Sequence, residues 1–379
     1  NTGNGYITGA TLGGVTPANT YNTSGETSGY TAKLSGSAVY DTQFTRDMLG
    51  RITRKVETVQ GVVVTYDYAY DTAGRLVGMS KNGTVVSSYV YDANSNRITA
   101  TQNGTVTQGQ YDLQDKLTAY GNNSYTYTAN GELLAKTVNG QTTSYNYDVM
   151  GNLLGTTLPG GTTIEYVIGS QNRRIGKKVN GILTQGLLYR DALKPMAELD
   201  GSGNVVSVFV YGTRVNTPDY MIKNGVTYRI IRDHLGSPKL VINTADNIIA
   251  QKMEYDEWGN VTSDTNPGFQ PFGFAGGIYD QQTKLTRFGA RDYDAEIGRW
   301  TSKDRLFFYS DNINLYGYTF NDPLNFIDPL GLTSWPVDSG RITEKYGEPR
   351  GSGQTHNGVD IRNPLGSNVT STDAGTVRD

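Results

Sequence analysis

The sequence predicts an all-β protein, a long antiparallel sheet of stacked hairpins, on three observations. The chain of 379 residues carries 27 Tyr and no Cys. A Tyr-Asp-x-x-Gly-x-Leu phrase recurs along it, and Asn-Gly pairs stand between the phrases. A buried Tyr needs a partner for its hydroxyl, so a core this rich in Tyr does not suit a greasy helical bundle. The phrase stands as YDTAGRL at 70–76, YDANSNRI at 91–98, YDLQDKL at 111–117, YTANGEL at 127–133, YDVMGNL at 147–153 and YDEWGNV at 255–261. From Tyr70 to Tyr147 the steps are 21, 20, 16 and 20 residues, which leaves room for one hairpin per repeat. Asn-Gly at 82–83, 103–104, 139–140, 180–181 and 224–225 is flanked by alternating β-branched residues. That pair favours a type I′ turn, whose twist matches a right-twisted hairpin. A single hairpin cannot bury its apolar face alone, but stacked neighbours can. The phrase tyrosines are therefore expected to form a ladder, their hydroxyls bonding to neighbouring backbone or Asp groups.

Composition narrows the function classes. Basic and acidic residues number 33 and 36, interspersed, for a formal charge of −3, which offers no footprint for nucleic acid or an anionic membrane. Without Cys there are no disulfides, thiolate nucleophiles or Cys-type zinc sites. Apolar runs are short, as in GVVV at 61–64, so no membrane span is expected. No basic-then-apolar leader opens the chain, which starts with Asn and reads as a fragment of a longer, exported protein.

The Tyr-Asp phrases with their Asn-Gly hairpins resemble the YD-repeat or Rhs-repeat family over roughly residues 30–332. The resemblance implies that the sheet coils into a hollow β-shell around the polypeptide that follows it, typically a toxin. From about residue 228 the phrasing changes through RDHLGSP, PFGFAGGIYD and RDYDAEIGRW to NDPLNFIDPLGL, which resembles an Rhs-associated core. Three regions follow: a repeat shell over 1–227, the core over 228–332 and a C-terminal segment over 333–379.

Asp328-Pro329-Leu330-Gly331 suits a type I turn, with Asp first, Pro fixing φ and Gly closing it. In the family resembled, the DPxGL ending marks self-cleavage, which implies a cut between Leu332 and Thr333. Two carboxylates sharing a proton can hydrolyse a peptide bond without metal or cofactor. The resemblance implies Asp304, in GRWTSKD, as the partner of Asp328, and Arg291, in RDYD, as the third residue of the site. Lys303 and Arg305 flank Asp304 where the family commonly has prolines, and two cations there are expected to depress its pKa. Asp292, Asp294, Glu296 and Asp322 are the competing acids, with Asp322 read as an ordinary turn residue. His234 and Ser237 in DHLGSP suggest a nucleophile and base, but their spacing in a Gly-Pro turn without an orienting acid favours bonds to backbone.

Beyond Leu332 the stretches WPV, ITEKYGEPR, HNGVDI and AGTV resemble the opening of lysostaphin-like or LytM-like zinc endopeptidases, a β-rich peptidase fold that cuts peptidoglycan. That resemblance implies His356 and Asp360 as zinc ligands. The chain supplies no further matching His for a complete site, and a hydrolytic zinc needs three protein ligands and a water. The leading expectation is a secreted or surface bacterial toxin fragment whose shell encloses its own C-terminal cargo and releases it by aspartyl self-cleavage. An immunity protein and export machinery are its expected partners, and peptidoglycan the eventual substrate. The alternative is a non-catalytic wall-associated, adhesive or carbohydrate-binding scaffold with its Tyr faces exposed.

Overall fold

The computed structural model describes residues 6–306, 314–332, 341–344 and 360–362. One antiparallel sheet of 24 strands runs from Val15–Tyr21 to Val261–Asp264. Each strand pairs with the next in sequence, so the topology is an uninterrupted meander. At one end of the hairpins Asn82 and Gly83 have φ of 51° and 80°, and Asn139 and Gly140 of 49° and 77°. These are the left-handed values that a type I′ turn requires and that Asn and Gly tolerate.

At the other end the Tyr-Asp phrase builds its own turn. Asp71 Oδ1 accepts the amides of Ala73 and Arg75 at 3.0 and 2.9 Å, and Oδ2 accepts Arg75 Nε at 2.7 Å. Asp92, Asp112, Asp148, Asp200 and Asp256 receive the same pair of amides. The phrase tyrosine then reaches back one repeat. Tyr70, Tyr91 and Tyr111 donate to the carbonyls of Ile52, Leu76 and Arg97 at 2.8, 2.7 and 3.0 Å. Arg51 and Arg75 lie over the Tyr70 and Tyr91 rings at 4.8 and 4.9 Å, adding a cation–π contact. The expected ladder is present at these three phrases, whereas Tyr255 donates to Met253 Sδ at 3.4 Å.

A β-bulge falls at the phrase tyrosine in successive repeats, at Ala69/Tyr70, Val90/Tyr91, Thr126/Tyr127, Asn146/Tyr147 and Glu254/Tyr255. A bulge raises local twist and bends the strand, so a bend repeated once per hairpin curls the sheet. Its first strands consequently meet its late ones, with Val15, Ala32 and Tyr40 packing on Ile231, Leu240 and Ile242. A second Tyr ladder, two residues before the first, points into the main core: Tyr68, Tyr89, Tyr125 and Tyr145 are buried there with Tyr166, beside Leu76, Leu117, Leu133 and Leu153. These rings are not exposed, unlike those of the adhesive scaffold outlined above.

The anticipated change of region at 227/228 falls inside the strand Val226–Arg232, and the large sheet continues to Asp264. After it comes a plug of loops around a four-stranded sheet: Ile278–Tyr279, Leu285–Phe288, Arg291–Asp294 and Arg299–Trp300. Phe274, Phe288, Tyr293, Trp300 and Tyr318 form its own aromatic core, while Trp258, Leu285, Ile297 and Leu324 join the core of the wall. Polar bonds fasten the plug to the phrase-turn rim: Tyr316 to Gly131 O at 2.7 Å, Arg299 to Asn96 Oδ1 at 2.9 Å, and Arg287 to Asn152 Oδ1 at 3.0 Å. In the tail, Arg341–Glu344 pairs with Asp360–Arg362 as two antiparallel strands.

Removing the carboxylate in Asp71→Ala takes away the acceptor of two amides and one ion pair and is expected to lower stability by about 1–2 kcal/mol. Leu113→Ser, at a fully exposed position of the equivalent turn, is expected to stay within about 0.5 kcal/mol. Urea unfolding of the two variants measures both.

Candidate functional site

The plug brings Arg291, Asp304 and Asp328 together. Arg291 opens its strand by pairing with Phe288 across a tight hairpin. Asp304 follows the strand Arg299–Trp300 and is fixed by its amide bonding to Leu315 O at 3.0 Å. Asp328 begins the predicted turn, closed by the Gly331 amide donating to Asp328 O at 3.2 Å. That turn lies on the 288–291 hairpin, with the Ala290 amide donating to Leu330 O at 2.8 Å. Gly331 has φ +63°, and a Cβ on it would stand 2.3 Å from Phe288 O. No other residue fits there without moving the turn.

All three side chains are buried, Arg291 and Asp328 at 3% exposure and Asp304 at 6%. Arg291 Nη2 donates to Asp304 Oδ2 at 2.7 Å and also faces Asp328 Oδ2 at 3.4 Å, so one guanidinium nitrogen serves both carboxylates. Its Nε donates to Gly331 O and its plane lies 4.3 Å over Trp300, a contact the sequence reading missed although Trp300 sits in the same GRWTSKD stretch. The second oxygen of Asp328 accepts the Leu332 amide at 3.2 Å. Asp328 therefore touches the residue whose carbonyl would be cut. Thr333 lies outside the described residues.

Burial pulls the Arg291 pKa down, against the charges of Asp328 and Asp304. Burial likewise pushes the Asp304 carboxyl above its usual range, against the charge of Arg291. The depression expected from Lys303 and Arg305 does not occur, because desolvation outweighs them. Arg305 turns away to Asn152 Oδ1 at 2.8 Å, and the Lys303 stem passes beside Gly131.

The competing acids have other partners. Asp292 is bound by Arg174 and Arg287 at 2.8 and 2.9 Å, and Asp294 and Glu296 both meet Lys136. Asp322 is more than a plain turn residue. Asn325 Nδ2 bonds both its oxygens and the Tyr70 hydroxyl, and Asn325 Oδ1 accepts the Ile52 amide at 2.9 Å, so this turn is tied to the first repeats. His234 Nε2 lies 2.8 Å from Leu324 O and Ser237 Oγ accepts the Ala275 amide at 3.0 Å, so both bond to backbone. Burial pushes the His234 pKa down to about 4, which leaves a neutral ring donating Nε2–H.

Among the described residues no group of three or more His, Cys, Asp or Glu is arranged to hold a metal. His356 lies outside those residues, and Asp360 is described only as the start of a short strand, so the residues in view do not make up a zinc site. Among the described residues no helix is long and apolar enough to cross a membrane, which says nothing of a β-barrel.

A meander of Tyr-Asp hairpins, curled by a bulge per repeat and filled by a polar-fastened plug, defines a YD-repeat β-shell protein. The chain belongs to the Teneurin YD-shell family, which it matches over residues 2–324. It is 27% identical to Homo sapiens teneurin-4 over 311 residues, 78% of this chain and 11% of that protein. With Gallus gallus teneurin-1 it shares 28% identity over 196 residues, 49% of this chain and 7% of that protein. With the putative uncharacterized protein YlbH of Escherichia coli strain K12 it shares 39% over 108 residues, 28% of this chain and 44% of that one. The chain thus spans about a tenth or less of the teneurins it matches. Among solved structures it is similar in fold to the Photorhabdus luminescens Tc holotoxin pore with a mutation in TccC3, at TM-score 0.59 and 16% identity over 86% of this chain and 18% of that one.

Burial pushes the Asp322 carboxyl up to about 7. The folded state therefore holds this proton more tightly than the unfolded chain, where the group titrates near 3.8. The stability it contributes is full below the unfolded value and is lost as pH rises toward 7. Asp322→Asn is expected to flatten the fall in Tm between pH 4 and pH 7.5 relative to the wild type. Parallel melting curves across that range provide the check.

Proposed function

We propose that this chain is part of a toxin-packaging shell that cuts itself between Leu332 and Thr333, using Asp304 and Asp328 as a carboxylate pair and Arg291 to hold them. The observation that carries this reading is the one guanidinium joining two buried carboxylates, one of which also accepts the Leu332 amide. With a single proton between them, one carboxylate takes a proton from water while the other protonates the Leu332 carbonyl oxygen. The water oxygen bonds to the carbonyl carbon, the C–N bond breaks, and the proton passes to the departing Thr333 amine. The products are a Leu332 carboxylate and a free Thr333 amine, and no metal or cofactor takes part. Tethering the scissile bond to the turn that bears Asp328 gives the high effective molarity a single-turnover site needs.

The cargo is the segment after Leu332. Its resemblance to lysostaphin-like peptidases supports a peptidoglycan endopeptidase, with His356 and Asp360 as zinc ligands in a complete toxin. No step of self-cleavage depends on that metal. A toxin aimed at a cell wall also implies a secreted or surface location, an export machinery and an immunity protein.

Intact-mass spectrometry tests the cut. Wild-type protein is expected as two fragments parted after Leu332, held together until denatured. Asp328→Asn and Asp304→Asn each remove an acid–base group and are expected to slow cleavage by at least about 100-fold, so both should run intact. Gly331→Ala should also run intact, by displacing the turn. A wild-type chain that stays whole through prolonged incubation, or an Asp304→Asn chain that cleaves at the wild-type rate, overturns the assignment.

A further inference from the structure

Among the Asn-Gly hairpin turns, four form two matched sets. Lys-Asn-Gly stands at 81–83 and again at 223–225, and Val-Asn-Gly at 138–140 and again at 179–181. All four asparagines are exposed, with φ between 49° and 51°. A Cβ on Gly83, Gly140, Gly181 or Gly225 would meet no other atom within 4 Å, so each glycine has open space beside it. Within a set, the tripeptide, the turn and its exposure are the same.

The neighbouring strand makes the difference. Asn82 donates its amide to Thr65 O at 2.8 Å and accepts the Thr65 amide on Oδ1 at 2.9 Å. Asn180 makes the same two bonds with Thr163, at 2.8 and 2.9 Å. Among the described residues neither Asn139 nor Asn224 has such an anchor. Asn139 lies beside the repeat with the 16-residue step, whose strand Asn123–Tyr127 starts too late to reach it. Beside Asn224 the ladder ends at Ser207 and Lys223.

An Asn-Gly bond can convert without an enzyme. The Gly amide nitrogen attacks the Asn side-chain carbonyl carbon and gives up its proton, the bond from that carbon to the side-chain nitrogen breaks, and ammonia leaves with the proton. Water then opens the succinimide at either carbonyl to give aspartate or isoaspartate, with no oxidation or reduction. Gly permits the attack because it has no side chain to obstruct it. The asparagine must first rotate out of its turn geometry to bring Cγ onto that nitrogen, and an Oδ1 held by a cross-strand amide must give up its hydrogen bond to do so.

We propose that Asn139 and Asn224 are sites of spontaneous deamidation in the folded chain, and that the bonds to Thr65 and Thr163 shield Asn82 and Asn180. Each conversion adds one negative charge to the Asn-Gly rim and, as isoaspartate, lengthens the backbone of the turn by one carbon. This chemistry is independent of self-cleavage.

Peptide mapping by mass spectrometry tests it. The full chain is aged in mildly alkaline buffer, folded or in guanidinium chloride, and the mass gain of an amide becoming an acid is followed at each asparagine. In the folded chain Asn224 is expected to convert about threefold to tenfold faster than Asn82, and Asn139 faster than Asn180 by the same factor. In guanidinium chloride the two members of each set are expected to convert at one rate, because only the fold distinguishes them. Equal rates within the sets in the folded chain, faster conversion at Asn82 or Asn180, or the same bias persisting in guanidinium chloride overturns the proposal. So does a folded chain whose Asn139 and Asn224 stay intact while the unfolded chain converts.

Discussion

The first repeats depend on the hydrogen bond that their phrase tyrosines send back to the preceding repeat. Tyr70 reaches Ile52, Tyr91 reaches Leu76 and Tyr111 reaches Arg97. Each bond fixes the spacing of two turns that are remote in sequence, and the Asp beside each tyrosine holds its own turn by accepting two amides. Because the same tyrosine carries the bulge, one residue both ties neighbouring repeats together and bends the sheet between them. Repeated along the chain, that bend brings Val15 and Ala32 against Ile231 and Leu240.

The curl leaves a rim of phrase turns rich in backbone carbonyls and Asn and Asp side chains, and the plug is written in matching chemistry. Arg287, Arg299, Asn325 and Tyr316 reach Asn152, Asn96, Tyr70 and Gly131 respectively. An apolar plug would leave those rim groups without partners, at the cost of a buried unsatisfied polar group each. The polar fit has a second consequence. Asn325 joins the turn at Asp322 to residues 52 and 70, while His234 holds Leu324 from the far end of the sheet. The loop that carries Asp328 is therefore placed by both ends of the wall at once, and the geometry at Arg291 is a product of the closed fold as a whole.

Much of the wall was legible in the residues. The Asn-Gly pairs and the spacing of the Tyr-Asp phrases depend on local backbone chemistry, which acts over a few residues whatever surrounds it. The DPLG turn was legible for the same reason, since Pro329 and Gly331 specify its conformation directly. The second tyrosine ladder was not: Tyr68 and Tyr89 become core rather than surface only through the direction in which the sheet curls, a choice that alternation leaves open. The rise of the Asp304 pKa was not legible because the burial that causes it comes from residues far along the chain and outweighs the charges of Arg291 and Arg305.

The amino-acid sequence by itself thus determined an all-β meander, its turn types and its repeat, while Arg291, Asp304 and Asp328 became candidates through the family the core resembles. Only the tertiary structure decided that these three meet on one guanidinium nitrogen, that Asp292 is taken by Arg174 and Arg287, and that the sheet continues past residue 227 to Asp264. The physical reason is range. Turn and strand preferences are set by nearest neighbours, whereas desolvation and charge pairing depend on which distant segments share the same small volume.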